Sequence, residues 1–130
     1  MTAKILVSRE EVIGIISEHW APLSKAQQEL LADNVRIVTF TKNDIIYRGG
    51  ESPHEVMCLI SGKVKIYKDG VNGRSQIIRA IKAVEFFGYR AFFAGEEYKT
   101  SAIAIDTCVV AFIPIQLVVK FIHENTAVSS

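Results

Sequence analysis

At 130 residues, with 49% hydrophobic and 22% charged side chains, the chain has the length of one domain and enough apolar material for one real core, which excludes global disorder. Fifteen Lys and Arg against 14 Asp and Glu leave a formal charge of +1, without the cationic excess that nucleic-acid binding by this segment would need. Cys58 and Cys108 sit in apolar runs without CxxC spacing. They are too few and too far apart for a disulfide framework or a thiolate zinc site, and read as reduced core residues. Residues 1–7 contain no long apolar run with a cleavage site. The most apolar stretch, 108–122, is interrupted by Pro114, Gln116 and Lys120 and is shorter than the roughly 20 residues of a membrane span. The expectation is a cytoplasmic protein without membrane contact.

In chain order, Ser8-Arg9-Glu10-Glu11 fits a capping box, and Ile13, Ile16 and Trp20 follow at helical spacing, predicting a helix over 9–19 that Pro22 stops. Ser24-Lys25-Ala26-Gln27 is a second box, opening a helix over 25–34 with Leu30 and Leu31 on one stripe. From Val35 the period changes to short apolar runs split by turn signals, at 35–41, 45–47, 56–60, 63–68, 76–82, 101–105 and 109–113. Residues 63–68 alternate, with Val64 and Ile66 on one side. Asp69-Gly70 and Asn72-Gly73 offer positive-φ positions for a hairpin. Runs at roughly 8–12-residue intervals indicate a sandwich or jelly roll. After Pro114 the helical period returns, and Ile115, Val118, Val119 and Ile122 share one face. The fold expected is mainly β with flanking helices: N-terminal helices over 1–34, a double-stranded β-helix (jelly roll) of about eight strands over 35–114, and a C-terminal helix over 115–125.

Tests for chemistry are negative. His19, His54 and His123 stand one per region, with no H-x-H pair of the kind a jelly-roll metalloenzyme uses, so no metal is expected. No G-x-S-x-G elbow exists, and Ser101 has no histidine near it in sequence. Glu10-Glu11 reads as helix-start decoration and Glu96-Glu97 as a solvated loop. What remains is the stretch from Phe86 to Gly95, in which Gly88 precedes Tyr89, Arg90, Ala91 and Phe92. Amides at a helical turn there can hold an anion such as a phosphate. Equally, Gly88 can serve only as a turn while the phenylalanines plug the roll.

The order of these segments resembles the cyclic-nucleotide-binding domain of the Crp/Fnr superfamily of bacterial transcription regulators. Asp44-Ile45-Ile46-Tyr47-Arg48-Gly49-Gly50-Glu51 resembles that family's I-[FY]-x-x-G strand and turn. Val56 to Lys68, with Ile60-Ser61-Gly62-Lys63-Val64-Lys65-Ile66-Tyr67-Lys68 at its end, is similar to Y-x-I-x-x-G-x-V-K-[VI]-Y-K. Gly73-Arg74-Ser75-Gln76-Ile77-Ile78 is similar to G-[RK]-[ED]-x-I-[IL]; Phe87-Gly88 opens the phosphate-binding cassette, and Ser101-Ala102-Ile103-Ala104 resembles its close, R-S-A-x-A. The resemblance covers roughly Lys25 to Ile122 and implies a non-catalytic ligand-sensing domain.

The departures bear on the ligand. In cAMP-binding members the cassette reads F-G-E-x-A-L and then R-[ST]-A, the Glu bonding the ribose 2′-hydroxyl and the Arg the cyclic phosphate. Here Tyr89 stands at the Glu position and Thr100 at the Arg position, the loop 95–99 is longer than the compact form, and Lys99 is one residue out of place. Lysine also lacks the bidentate fork of arginine. Tight cAMP binding is not expected. The site residues expected are Gly88, Tyr89, Arg90, Ala91, Phe92, Lys99, Thr100 and Ser101, with Arg90 either reading another anionic effector or lying on the surface. Two cysteines exclude the iron–sulfur branch, and His54 and Cys58 are the only remote candidates for a haem ligand, so no cofactor is expected. Family members continue into a dimerisation helix and a helix-turn-helix reader. The resemblance therefore implies a homodimer in the full-length protein and DNA contact only through a domain absent from this chain. Two other functions stay open: a ligand-free scaffold or dimerisation domain, its pocket plugged by Tyr89 and Phe92, and a jelly-roll enzyme.

Overall fold

The computed structural model describes residues 7–129, apart from the side chains at 71 and 126–129; the first six residues of the expected N-terminal helical segment and the final residue lie outside it. Two helices open the chain, α1 (Arg9–His19) and α2 (Lys25–Asn34). At α1 the Ser8 Oγ accepts from the Glu11 N–H at 3.1 Å. At α2 the reciprocal box is complete: Ser24 Oγ accepts from the Gln27 N–H (3.1 Å) and Gln27 Oε1 from the Ser24 N–H (2.9 Å).

Eight strands follow: β1 (Arg36–Phe40), β2 (Ile45–Tyr47), β3 (Glu55–Ser61), β4 (Lys63–Asp69), β5 (Ser75–Lys82), β6 (Glu85–Phe87), β7 (Ser101–Ala104) and β8 (Cys108–Pro114). They form two antiparallel four-stranded sheets, ordered β1-β8-β3-β6 and β2-β7-β4-β5. A short helix, α3 (Arg90–Phe93), lies between β6 and β7, and α4 (Ile115–Ser129) ends the described chain. This is the expected mainly-β jelly roll with flanking helices. β6 is an addition to the runs read from the sequence.

The runs 56–60 and 109–113 lack alternation because β3 and β8 are buried on both faces. Val56, Cys58, Ile60, Val109, Ala111 and Ile113 pack with Val12, Ile16, Leu31 and Phe121 of the helices. Met57, Leu59, Cys108, Val110 and Phe112 point the other way, into the space between the sheets, against Val64, Ile66, Ile81 and Phe87. Cys58 and Cys108 thus belong to different cores. Burial pushes the Cys58 thiol up to about 12 and the Cys108 thiol up to about 11.

Two local expectations are corrected. In the β4–β5 connection the positive-φ residues are Asn72 (70°) and Gly73 (73°), whereas Gly70 has φ −91°. Gly70 is instead a position of close approach, where a Cβ would come within 2.9 Å of the Arg74 carbonyl oxygen. On α4 the buried residues are Ile115, Leu117, Val118 and Phe121, while Val119 and Ile122 are 42% and 46% exposed. Six of the eight positions from 115 to 122 are apolar, too many for the pattern alone to choose the face.

Candidate functional site

The site is built from the β6–α3 turn outward. Phe87 ends β6 and is buried between the sheets. Gly88 then adopts φ 78°, and a Cβ on it would overlap the Met57 Cε and lie 3.0 Å from Met57 Sδ and 3.4 Å from the Tyr98 hydroxyl. Only glycine fits both the backbone and the space. Tyr89 precedes the single turn of α3, closed by Phe93 N–H to Tyr89 O (3.3 Å) and Ala94 N–H to Arg90 O (3.0 Å). The loop returns through Glu96 N–H to Ala91 O at 2.9 Å.

Tyr98 fastens this unit to the roll. Its hydroxyl donates to the Gly88 carbonyl (2.9 Å), its N–H donates to Glu51 O (2.9 Å), and its carbonyl accepts from the Gly50 N–H (2.7 Å). Its ring stacks on Tyr47, centroids 4.0 Å apart. Burial raises both phenols above their ordinary value, Tyr47 against a lowering hydrogen bond with Thr100. Both tyrosines stay neutral near pH 7.

Between this unit and the β4–β5 sheet edge lies an open cavity of about 320 Å³, at the small end of ligand pockets. Of the residues expected from sequence, Gly88, Tyr89, Arg90, Ala91, Lys99 and Thr100 line it. Phe92 does not: it is 38% exposed and meets Phe93 edge-on at 5.3 Å. Ser101 also lies off the cavity; its Oγ accepts from the Gly49 N–H at 2.9 Å. β7 begins only at Ser101, so Lys99 belongs to the preceding turn, where it pairs with Glu96 at 3.3 Å. Arg90 is exposed and makes no ion pair among the described residues.

Other lining residues lay outside the expected site, among them Tyr47, Tyr98, Arg79 and the carboxylates Glu96 and Glu97. Tyr47 and Tyr98 are brought together from positions 51 residues apart in the sequence, and Arg79 comes from edge strand β5, opposite Ile66, where it pairs with Glu85. The available signal for Arg79 was a cation within an otherwise apolar run. His54 and Cys58 do not line the cavity. Among the described residues no three His, Cys, Asp or Glu side chains gather to hold a metal, and no helix is long and apolar enough to cross a membrane.

Tyr89 lines a second, apolar groove of about 290 Å³ on its other side, with Trp20, Phe86 and Phe93 facing Val118 and Ile122 of α4. The turn therefore stands between the cavity and the last helix.

The architecture is a jelly roll with flanking helices and a glycine-opened helical turn beside this cavity. The sequence pattern of the cyclic nucleotide-binding domain matches residues 37–125, and the chain belongs to that family. The sensor domain of the transcriptional regulator DNR from Pseudomonas aeruginosa superposes with a TM-score of 0.83 at 23% identity, covering 93% of this chain and 83% of that one. A second structure of DNR gives 0.79 at 26% identity, covering 96% and 56%. The Thermus thermophilus Catabolite Activator Protein gives 0.68 at 17% identity, covering 83% and 51%. The domain is of the Crp/Fnr regulator type. An uncharacterized Haemophilus influenzae protein is 39% identical over 64 residues, which are 49% of this chain and 50% of that protein. The match thus spans half the length of that curated relative.

Proposed function

We propose that this domain senses a small anionic effector for a Crp/Fnr-type transcription regulator, and that the effector is not cAMP held tightly. The observation carrying the reading is the cavity itself. It is open beside Gly88–Ala91 and edged by Arg79, Arg90 and Lys99 together with the carboxylates of Glu96 and Glu97, while the resemblance implies that Tyr89 and Thr100 stand where cAMP-binding members hold ribose and cyclic phosphate. The first amides of a helical turn have no partner within it and favour an anion. A missing charge-assisted contact to phosphate costs about 1.5–3 kcal/mol, and the missing ribose contact adds to it.

The output is a bias in packing rather than chemistry. An anion drawing in Arg90 shifts the α3 turn, and Tyr89 and Phe93 carry that shift to Val118 and Ile122 of α4. A bias of a few kcal/mol suffices to move a two-state equilibrium. DNA contact through a further domain, a homodimer in the full-length protein and a cytoplasmic location complete the proposal. The competing ligand-free reading needs Tyr89 and Phe92 to fill the roll, and the exposure of Phe92 weighs against it.

Calorimetric titration tests this. The expected result is cAMP and cGMP binding no tighter than about 100 μM, near −5.5 kcal/mol. Micromolar binding of cAMP by the unmodified chain would overturn it. Combining Tyr89→Glu with Thr100→Arg is expected to tighten cAMP.

A further inference from the structure

Beyond the Lys99–Thr100 turn lies a third depression, of about 250 Å³. It is lined by three cations, Arg48, Lys68 and Lys99, and by the polar side chains of Tyr67 and Ser101. One carboxylate, Asp69, shares it and accepts a hydrogen bond from the Ser75 hydroxyl at 3.1 Å. The Arg48 guanidinium and the Lys68 ammonium make no ion pair among the described residues. Glu51, three residues after Arg48, directs a carboxylate oxygen at the Arg48 N–H (2.5 Å) rather than at its guanidinium. Because Ser101 Oγ accepts from the Gly49 N–H, its own proton is free to point into the cleft. Such a concentration of cations is local, since the whole chain carries only +1.

We propose that this cleft binds a phosphate group of a small nucleotide-class ligand, held by Arg48 and Lys68 with the Ser101 hydroxyl as a further donor. Forked guanidinium, mobile ammonium and hydroxyl together match a tetrahedral oxyanion. Lys99 and Thr100 line both this cleft and the cavity, so one ligand can seat a phosphate here and its remaining body beside Gly88. That second placement rests on the reading under Proposed function; the phosphate site does not. The class fitted is a nucleotide with phosphates at two positions, in contrast to a cyclic monophosphate, which has one.

The test is a nitrogen-15 NMR titration of the whole chain with adenosine 3′,5′-bisphosphate, at ionic strength fixed by chloride. The amides of Gly49, Lys68 and Ser101 report the cleft, and those of Gly88, Arg90 and Ala91 report the cavity. The expected result is saturable movement of the cleft amides, weakened about tenfold or more in the double variant Arg48→Gln, Lys68→Gln. Both side chains are exposed, so the variant is expected to fold, which its unchanged spectrum elsewhere would verify. Movement of both sets along one isotherm supports the shared ligand. Movement of the cleft set alone sustains the phosphate site and removes the cavity reading. Movement of the cavity set alone, no saturable movement, or equal affinity in the double variant would each overturn the phosphate site.

Discussion

Replacing Gly88 by Ala isolates the feature on which the site depends. The backbone there has φ 78°, a left-handed conformation that costs a residue with a Cβ about 1–2 kcal/mol. The new methyl would also overlap the end of Met57, which is 2% exposed and has little room to withdraw. Overpacking of this kind costs about 1–3 kcal/mol, toward the low end because a thioether chain is flexible. The sum is a loss of about 2–5 kcal/mol. Urea unfolding followed by far-ultraviolet circular dichroism should show a lower midpoint with an unchanged slope. A double-mutant cycle with Met57→Ala separates the two causes. Met57→Ala alone costs about 2–5 kcal/mol, but it removes the overlap, so the pair should be less unstable than the two single losses added together. The φ penalty survives in the pair. A loss below about 0.5 kcal/mol for Gly88→Ala would refute the claim that only glycine fits, and strict additivity would refute the role of Met57.

Other expectations test the packing and the titration. Phe121→Ala should cost about 3–5 kcal/mol, whereas Val119→Ala, on the exposed face of α4, should stay within about 1 kcal/mol; comparable losses in chemical denaturation would mean that α4 is rotated. Ser24→Ala removes half of the capping box and should cost about 1 kcal/mol, read as a lower urea midpoint. Both thiols ionise near 9 when unfolded but only at about 12 (Cys58) and about 11 (Cys108) when folded, so the folded state holds more protons above pH 9. Stability is therefore expected to be indifferent to the thiols below pH 9 and to fall as pH rises beyond it. Under native conditions a thiol-specific reagent at pH 8 should label neither cysteine at an appreciable rate, and rapid labelling would contradict their burial.

The amino-acid sequence by itself determined the local elements. Serines at positions 8 and 24 start α1 and α2 because capping acts within four residues, and the resemblance in segment order placed the cassette at Phe87-Gly88. The strands β3 and β8 were legible as continuous apolar runs, but not what each face would meet. The division of Val56, Cys58 and Ile60 to the helices and of Met57 and Leu59 to the roll comes only from stacking one sheet beneath helices and opposite a second sheet. Tertiary structure also decided the site. Tyr47 stacks on Tyr98 because β2 pairs with β7, and that pairing joins segments with no local signal for each other. Phe92 and Ser101 lie off the cavity for different reasons: the short turn of α3 leaves the one exposed, and the distant Gly49 amide engages the other. On α4 the apolar stripe was too wide to name a face, and contact with the roll, which buries Phe121 and leaves Ile122 outside, made the choice. Capping and periodicity are short-range and survive in a linear reading; register, facing and cavity walls depend on partners tens of residues away, which only the folded chain brings together.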